Sequence, residues 1–144
     1  MTITRLSTAA LALAIALTSA PANAGSNRVT IEQWGRDHSG AVSQRGHRQR
    51  ISITQDGRAN LSLNTQDGAR NRVVIGQTGR HNTADSAQSG RRNILGIAQF
   101  GRHNDATVAQ SGRRNAIGVI QTGRGHSATA SQHGTGNVVV VIQD

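Results

Sequence analysis

Counting in steps of eleven from Gln33 meets a glutamine every time, at Gln44, Gln55, Gln66, Gln77, Gln88, Gln99, Gln110, Gln121, Gln132 and Gln143. A glycine stands two residues after each of the first ten, at Gly35, Gly46, Gly57, Gly68, Gly79, Gly90, Gly101, Gly112, Gly123 and Gly134. Five residues after each of those ten comes an amide or an imidazole. Seven of them are asparagine, at Asn60, Asn71, Asn82, Asn93, Asn104, Asn115 and Asn137, and Asn27 holds the same place ahead of the first unit. A gap-free register of this length marks an internal repeat, and the repeat fixes the fold before any single residue does.

Each unit divides into seven residues running from Asn to Gln and four residues of turn, as in Asn71-Arg72-Val73-Val74-Ile75-Gly76-Gln77 followed by Thr78-Gly79-Arg80-His81. Within the seven, odd and even positions alternate, and a period of two means a strand. The inward set reads Asn, apolar, apolar, Gln. At the third position large and small residues take turns: Val29, Gly40, Ile51, Ser62, Val73, Ala84, Leu95, Ala106, Ile117, Ala128, Val139. The true repeat is therefore 22 residues of two unlike strands, with copies at 27–48, 49–70, 71–92, 93–114 and 115–136 and a half copy at 137–144. The fifth position is mostly Ile or Val but includes Asn64, Ser86 and Ala130, so these layers are expected to be the softer ones.

Composition excludes an ordinary globular core. Among 144 residues there are one Trp, one Phe, no Tyr, one Met and one Pro against 17 Gly, so the side chains that usually fill a core are missing. High polarity would suit disorder, but a solvated linker has no reason to hold its spacing. Residues 1–24 stand apart: Arg5 precedes the apolar run 11–17, and Ala22-Asn23-Ala24 is an A-x-A cleavage pattern. This predicts a secretory signal peptide and a mature chain of 25–144. No cysteine is present, so neither disulfides nor thiolate metal sites hold the exported chain together.

Strand, glycine turn, strand and glycine turn bring the chain back over its own start. Each strand then pairs in parallel with its equivalent 22 residues on, at about 4.8 Å per rung. The fold expected is all-β: a two-sheet parallel β-solenoid of cross-β type, with strand-arc-strand-arc repeats. Glycine two residues after Gln supplies positive φ for a tight arc. Inward Asn and Gln are expected to stack as amide ladders, each amide donating to one neighbouring layer and accepting from the other. No segment suited to a capping helix is apparent, so the open strand edges at both ends are templates for another copy.

These residues resemble the curlin repeat. The units Asn82-x-Ala84-x3-Gln88-x-Gly90 and Asn104-x-Ala106-x3-Gln110-x-Gly112 follow its Gln-x-Gly-x-x-Asn-x-Ala-x3-Gln pattern, and Asn27, Gln49, Asn71, Asn93, Asn115 and Asn137 stand where the family's leading strand carries Ser. The resemblance covers 27–144 and includes the 22-residue period. It implies a structural subunit of curli, the amyloid fibres of bacterial surfaces that serve adhesion and biofilm matrix. It also implies passage through an outer-membrane pore with accessory proteins, assembly outside the cell, and a second curlin subunit as partner, since the family has a bulk subunit and a minor, nucleating one.

Charge adds a further expectation. All sixteen basic residues are arginine; fifteen of them and all seven acids lie after residue 24, a net +8. Arg36, Arg58, Arg80, Arg102 and Arg124 follow the turn glycines of alternate units, and Arg91 and Arg113 follow others. These seven are the candidates for anion binding, with anionic polysaccharide, lipopolysaccharide or extracellular DNA as partners. A monomeric basic solenoid that binds such polymers is the alternative to the fibre subunit.

Enzyme chemistry is not indicated. No serine lies in a Gly-x-Ser-x-Gly elbow, and the sequence calls for no cofactor and no metal. His81 and His103 are expected to stack, but no acid or thiol completes a metal site. Thr30, Thr83, Thr107 and Thr129 never pair as the Thr-x-Thr ladders of ice-binding solenoids do.

Overall fold

The computed structural model describes residues 26–144; the predicted signal peptide at 1–24 lies outside the described residues. The described chain is built of strands, β1 (Arg28–Arg36), β2 (Ser39–His47), β3 (Arg50–Arg58), β4 (Leu61–Ala69), β5 (Arg72–Arg80), β6 (Thr83–Arg91), β7 (Ile94–Arg102), β8 (Asp105–Arg113), β9 (Ala116–Arg124), β10 (Ser127–Thr135) and β11 (Val138–Gln143). They alternate between two sheets. One has six strands in the order β1-β3-β5-β7-β9-β11, the other five in the order β10-β8-β6-β4-β2. Every pairing is parallel, and its register is the 22-residue step: Val73 opposite Leu95, Gln77 opposite Gln99, Gly79 opposite Gly101. The chain is a two-sheet β-solenoid.

The large–small alternation explains how so thin a core closes. The six-stranded sheet contributes buried Ile51, Val73, Leu95 and Ile117, and the five-stranded sheet answers with Ser62, Ala84, Ala106 and Ala128. Ile53, Ile75, Ile97, Val108 and Val119 complete the apolar layer. A bulky residue on one side meets a small one on the other, so each rung keeps nearly the same volume and the interior packs without large voids.

The strands are longer than the seven residues the sequence suggests. Ten of the eleven span nine residues, running on through the turn glycine and one residue more. Parallel pairing continues there because each glycine lies opposite the glycine of the next rung. Only two residues, such as His81 and Asn82, remain outside the ladder at each arc. The first of the two turns the chain by taking the left-handed conformation. Asp37, Arg48, Ala59, Arg70, His81, Arg92, His103 and Arg114 have φ between 54° and 61°, and Gly125 and Gly136 stand at the same place with 75° and 74°.

The outer faces differ. The five-stranded sheet is mostly polar outside, while the six-stranded sheet becomes apolar toward β11, where Ile94, Ile120, Val138, Val140 and Ile142 are exposed.

Candidate assembly surface: amide ladders, arcs and open edges

The glutamines form two ladders through the interior. In the six-stranded sheet Gln33 Nε2 donates to Gln55 Oε1 at 2.6 Å, Gln55 to Gln77 at 2.7 Å, and Gln77, Gln99 and Gln121 each to the next at 2.8 Å, ending on Gln143. In the five-stranded sheet Gln44, Gln66, Gln88 and Gln110 pass their bonds on in the same way to Gln132, at 2.7–3.0 Å. Most of these Nε2 groups use their second hydrogen on a carbonyl of the facing strand, as Gln77 does with Leu61 O at 2.9 Å. A buried primary amide has two donors, and in Gln55, Gln66, Gln77, Gln88, Gln99 and Gln121 both are used.

The asparagines are arranged differently from the expected amide-to-amide stack. Asn93 Nδ2 donates to Ser89 O at 2.8 Å and to Gly112 O at 3.2 Å, and its Oδ1 accepts the backbone N–H of Asn115 at 3.1 Å. Asn71, Asn82, Asn104 and Asn115 repeat the pattern. Asn60 keeps it through Asp56, Gly79 and Asn82. Asn27 donates to Gly46 O and accepts from Gln49 N–H, while Asn137 donates to His133 O. With one methylene fewer than glutamine and a seat at the arc, asparagine reaches the turn's own backbone before it reaches another amide. It satisfies arc groups that would otherwise be buried without partners.

Three positions depart from this. Gln49 fills an asparagine place; its Nε2 donates to Arg45 O at 2.7 Å and Gly68 O at 3.0 Å, but its buried Oε1 has no partner. His38 fills another, and its Nδ1 takes the N–H of Asn60 at 3.3 Å. His126 closes the same column by donating its N–H to Asn104 Oδ1 at 3.1 Å.

All ten turn glycines have φ from 104° to 124°. At Gly79 a Cβ would also run into the carbonyl oxygen of Gly101. Conformation and close stacking therefore both require glycine there. The left-handed residue two places later went unread in the sequence. Its signal was there: the column holds Asp37, His81, His103, Gly125 and Gly136, residue types suited to that conformation, among arginines.

Of the layers expected to be soft, those of Asn64 and Ser86 hold a hydrogen-bonded set. Asn64 Nδ2 donates to Ser62 Oγ at 2.9 Å and Ser86 Oγ donates to Asn64 Oδ1 at 2.6 Å, all three side chains being buried.

The seven candidate anion-binding arginines are not brought together. Arg36, Arg58, Arg80, Arg102 and Arg124 line the arc that follows the six-stranded sheet, whereas Arg91 and Arg113 lie on the opposite arc. On the first arc Arg58 Nε meets Asp37 Oδ2 at 3.3 Å, both well exposed, and the rings of His81 and His103 stack at 5.1 Å. Among the described residues no three His, Cys, Asp or Glu side chains cluster in a way that would hold a metal ion.

At the ends of the stack, β1 and β2 on one side and β10 and β11 on the other have one strand partner each among the described residues. The open edge reaches the ladder itself: Gln132 Nε2, in a residue only 5% exposed, has no acceptor.

The family model for the curlin-associated repeat matches residues 26–57, 82–112 and 101–134. No curated protein and no solved structure matches the chain. The matched segments span more than half of the sequence and carry many of the glutamines, glycines and asparagines that form the ladders and arcs, and on that ground the chain belongs to the curlin family.

Proposed function

We propose that the chain is a structural subunit of secreted, curli-type amyloid fibres, joining further copies of itself end to end and serving adhesion and biofilm matrix at the bacterial surface. The observation that carries this reading is the open ladder. Gln132 presents a buried donor with no acceptor, on an edge strand, β10, whose pairing with β8 follows the 22-residue step. Another copy brings an edge strand with a free glutamine Oε1 and a row of free backbone groups, which extends both the amide ladder and the sheet. The family and the fold are those of structural proteins.

On the same reading the chain leaves the cell through an outer-membrane pore with accessory proteins, and a second curlin subunit shares the fibre, one acting as bulk material and the other as nucleator. The basic arcs meet anionic material outside the cell: acidic polysaccharide, lipopolysaccharide or released DNA. Incubation of the purified mature chain tests the central part. Thioflavin-positive, cross-β fibres are expected; a monomer that stays soluble for days contradicts the fibre assignment and leaves the monomeric anion binder.

A further inference from the structure

The two arcs are chemically unlike. The arc after the five-stranded sheet carries two neighbouring columns of arginine: Arg48, Arg70, Arg92 and Arg114 at the left-handed position, and Arg91 and Arg113 at the residue before it. All of these but Arg48 line a groove of about 490 Å³ that crosses several rungs of the stack. All are exposed, and the ion pair found among the described residues, Arg58 with Asp37, is on the other arc.

Three observations separate these charges from the needs of the fold. Left-handed φ is unfavourable for arginine and costs nothing for glycine. The last rung of the same column is in fact Gly136, with φ 74°, so the arc closes without arginine. Stacking like charges one rung apart is also repulsive. The backbone nevertheless holds them at that spacing: Arg70 N–H donates to His47 O at 3.1 Å, Arg92 N–H to Ala69 O at 3.0 Å and Arg114 N–H to Arg91 O at 3.1 Å. A row of guanidinium groups with no ion-pair partner among the described residues, set one rung apart by the backbone, is a surface suited to a row of anions.

We propose that this groove binds a linear acidic polysaccharide bearing one carboxylate or sulfate per sugar, laid along the stacking axis. The rungs repeat at about 4.8 Å, a spacing close to the advance of one sugar ring in an extended polyuronate, so successive charges meet successive guanidinium groups. Each planar fork can take an oxyanion through two hydrogen bonds. Nucleic acid fits less well. No Trp, Tyr or Phe lines the groove, so a single strand finds no stacking platform, and the phosphates of a duplex wind away from a straight row. The proposal deepens the anion-attracting part of the proposed function and does not depend on polymerisation.

The test titrates the full soluble chain, before assembly, with polygalacturonate and with a single-stranded DNA oligonucleotide at matched ionic strength. The triple variant Arg70→Asn/Arg92→Asn/Arg114→Asn keeps a residue that tolerates left-handed φ, so it stays folded and its unfolding midpoint holds or rises. It is expected to bind polygalacturonate at least about tenfold more weakly. Arg28→Thr/Arg50→Thr/Arg72→Thr removes the same charge from the outer face of the six-stranded sheet and is expected to change binding by less than about twofold. Equal losses in the two variants mean attraction by net charge alone and overturn the groove. Tighter binding of DNA than of polygalacturonate through the same three arginines also overturns it, in favour of a nucleic-acid site. If the unaltered chain binds neither polymer, the anion-attracting part of the proposed function fails together with the groove.

Discussion

At the scale of single residues the fold is held by small, repeated accounts of donors and acceptors, and Gln49 is where one does not close. Its Oε1 is buried without a partner, whereas asparagine in the same place accepts the backbone N–H one rung on, as Asn93 does for Asn115 at 3.1 Å. Gln49→Asn restores that bond to Asn71 and is expected to raise stability by about 1 kcal/mol. An unchanged urea midpoint would show that the orphaned carbonyl costs nothing. Ala59 offers a second test, because it holds φ 54°. Ala59→Gly removes a left-handed strain of about 1 kcal/mol while giving back a similar entropy, whereas Ala59→Asn avoids that entropy cost and is expected to be the more stable of the two by thermal melting. The glutamines and turn glycines were legible in the sequence because each repeats without exception. The left-handed column was harder to read, because the Asp, His and Gly residues that suit that conformation share it with arginines and Ala59. The role of asparagine was only half legible: its inward direction followed from period two, but whether it meets another amide or the arc backbone depends on a side-chain length that spacing does not weigh.

At the scale of the strand and its neighbours, the core is a balance of large against small, with one polar exception. Ser62, Asn64 and Ser86 sit at core positions of β4 and β6, where the sequence predicts poor filling, and the two bonds of 2.9 and 2.6 Å make them a closed set. Asn64→Ala strands two buried hydroxyls and opens a cavity, at an expected cost of about 1–3 kcal/mol. Hydrogen exchange should speed up first in β4 and β6; a loss spread evenly over all strands would mean that the set has no local role. The alternation at the third position was legible, and it gave the 22-residue period and the two unlike sheets. Strand length was not: nine residues replace seven because backbone pairing passes through the glycines, which composition alone marks as turn. The arc shrinks to two residues as a result, which leaves Arg91 and Arg113 on the strand ladder and Arg70, Arg92 and Arg114 directly after it.

At the scale of the whole molecule, opposing tendencies meet at the ends of the stack. The edges of β1, β2, β10 and β11 and the free Gln132 donor favour another copy, while arginine columns repel along the same axis by about 1 kcal/mol per pair in water. Salt screens that repulsion over about 10 Å at 0.1 M. The thioflavin lag is therefore expected to shorten as ionic strength rises, and to shorten further with an added polyanion; a lag indifferent to both would remove charge from the account of assembly. The parallel solenoid was legible because the period and the strand alternation leave few alternatives, and the stacking of Arg70, Arg92 and Arg114 on one arc followed from the same 22-residue step; that the ion pair forms on the other arc, between Arg58 and Asp37, was not legible. Diffraction from aligned fibres of the mature chain tests the central claim most directly. If copies continue one another's ladders, the strand spacing of about 4.8 Å lies along the fibre axis, and mass per length corresponds to one chain for every roughly 26 Å, the height of five and a half rungs. A strand spacing perpendicular to the axis, or no ordered fibre, would contradict it.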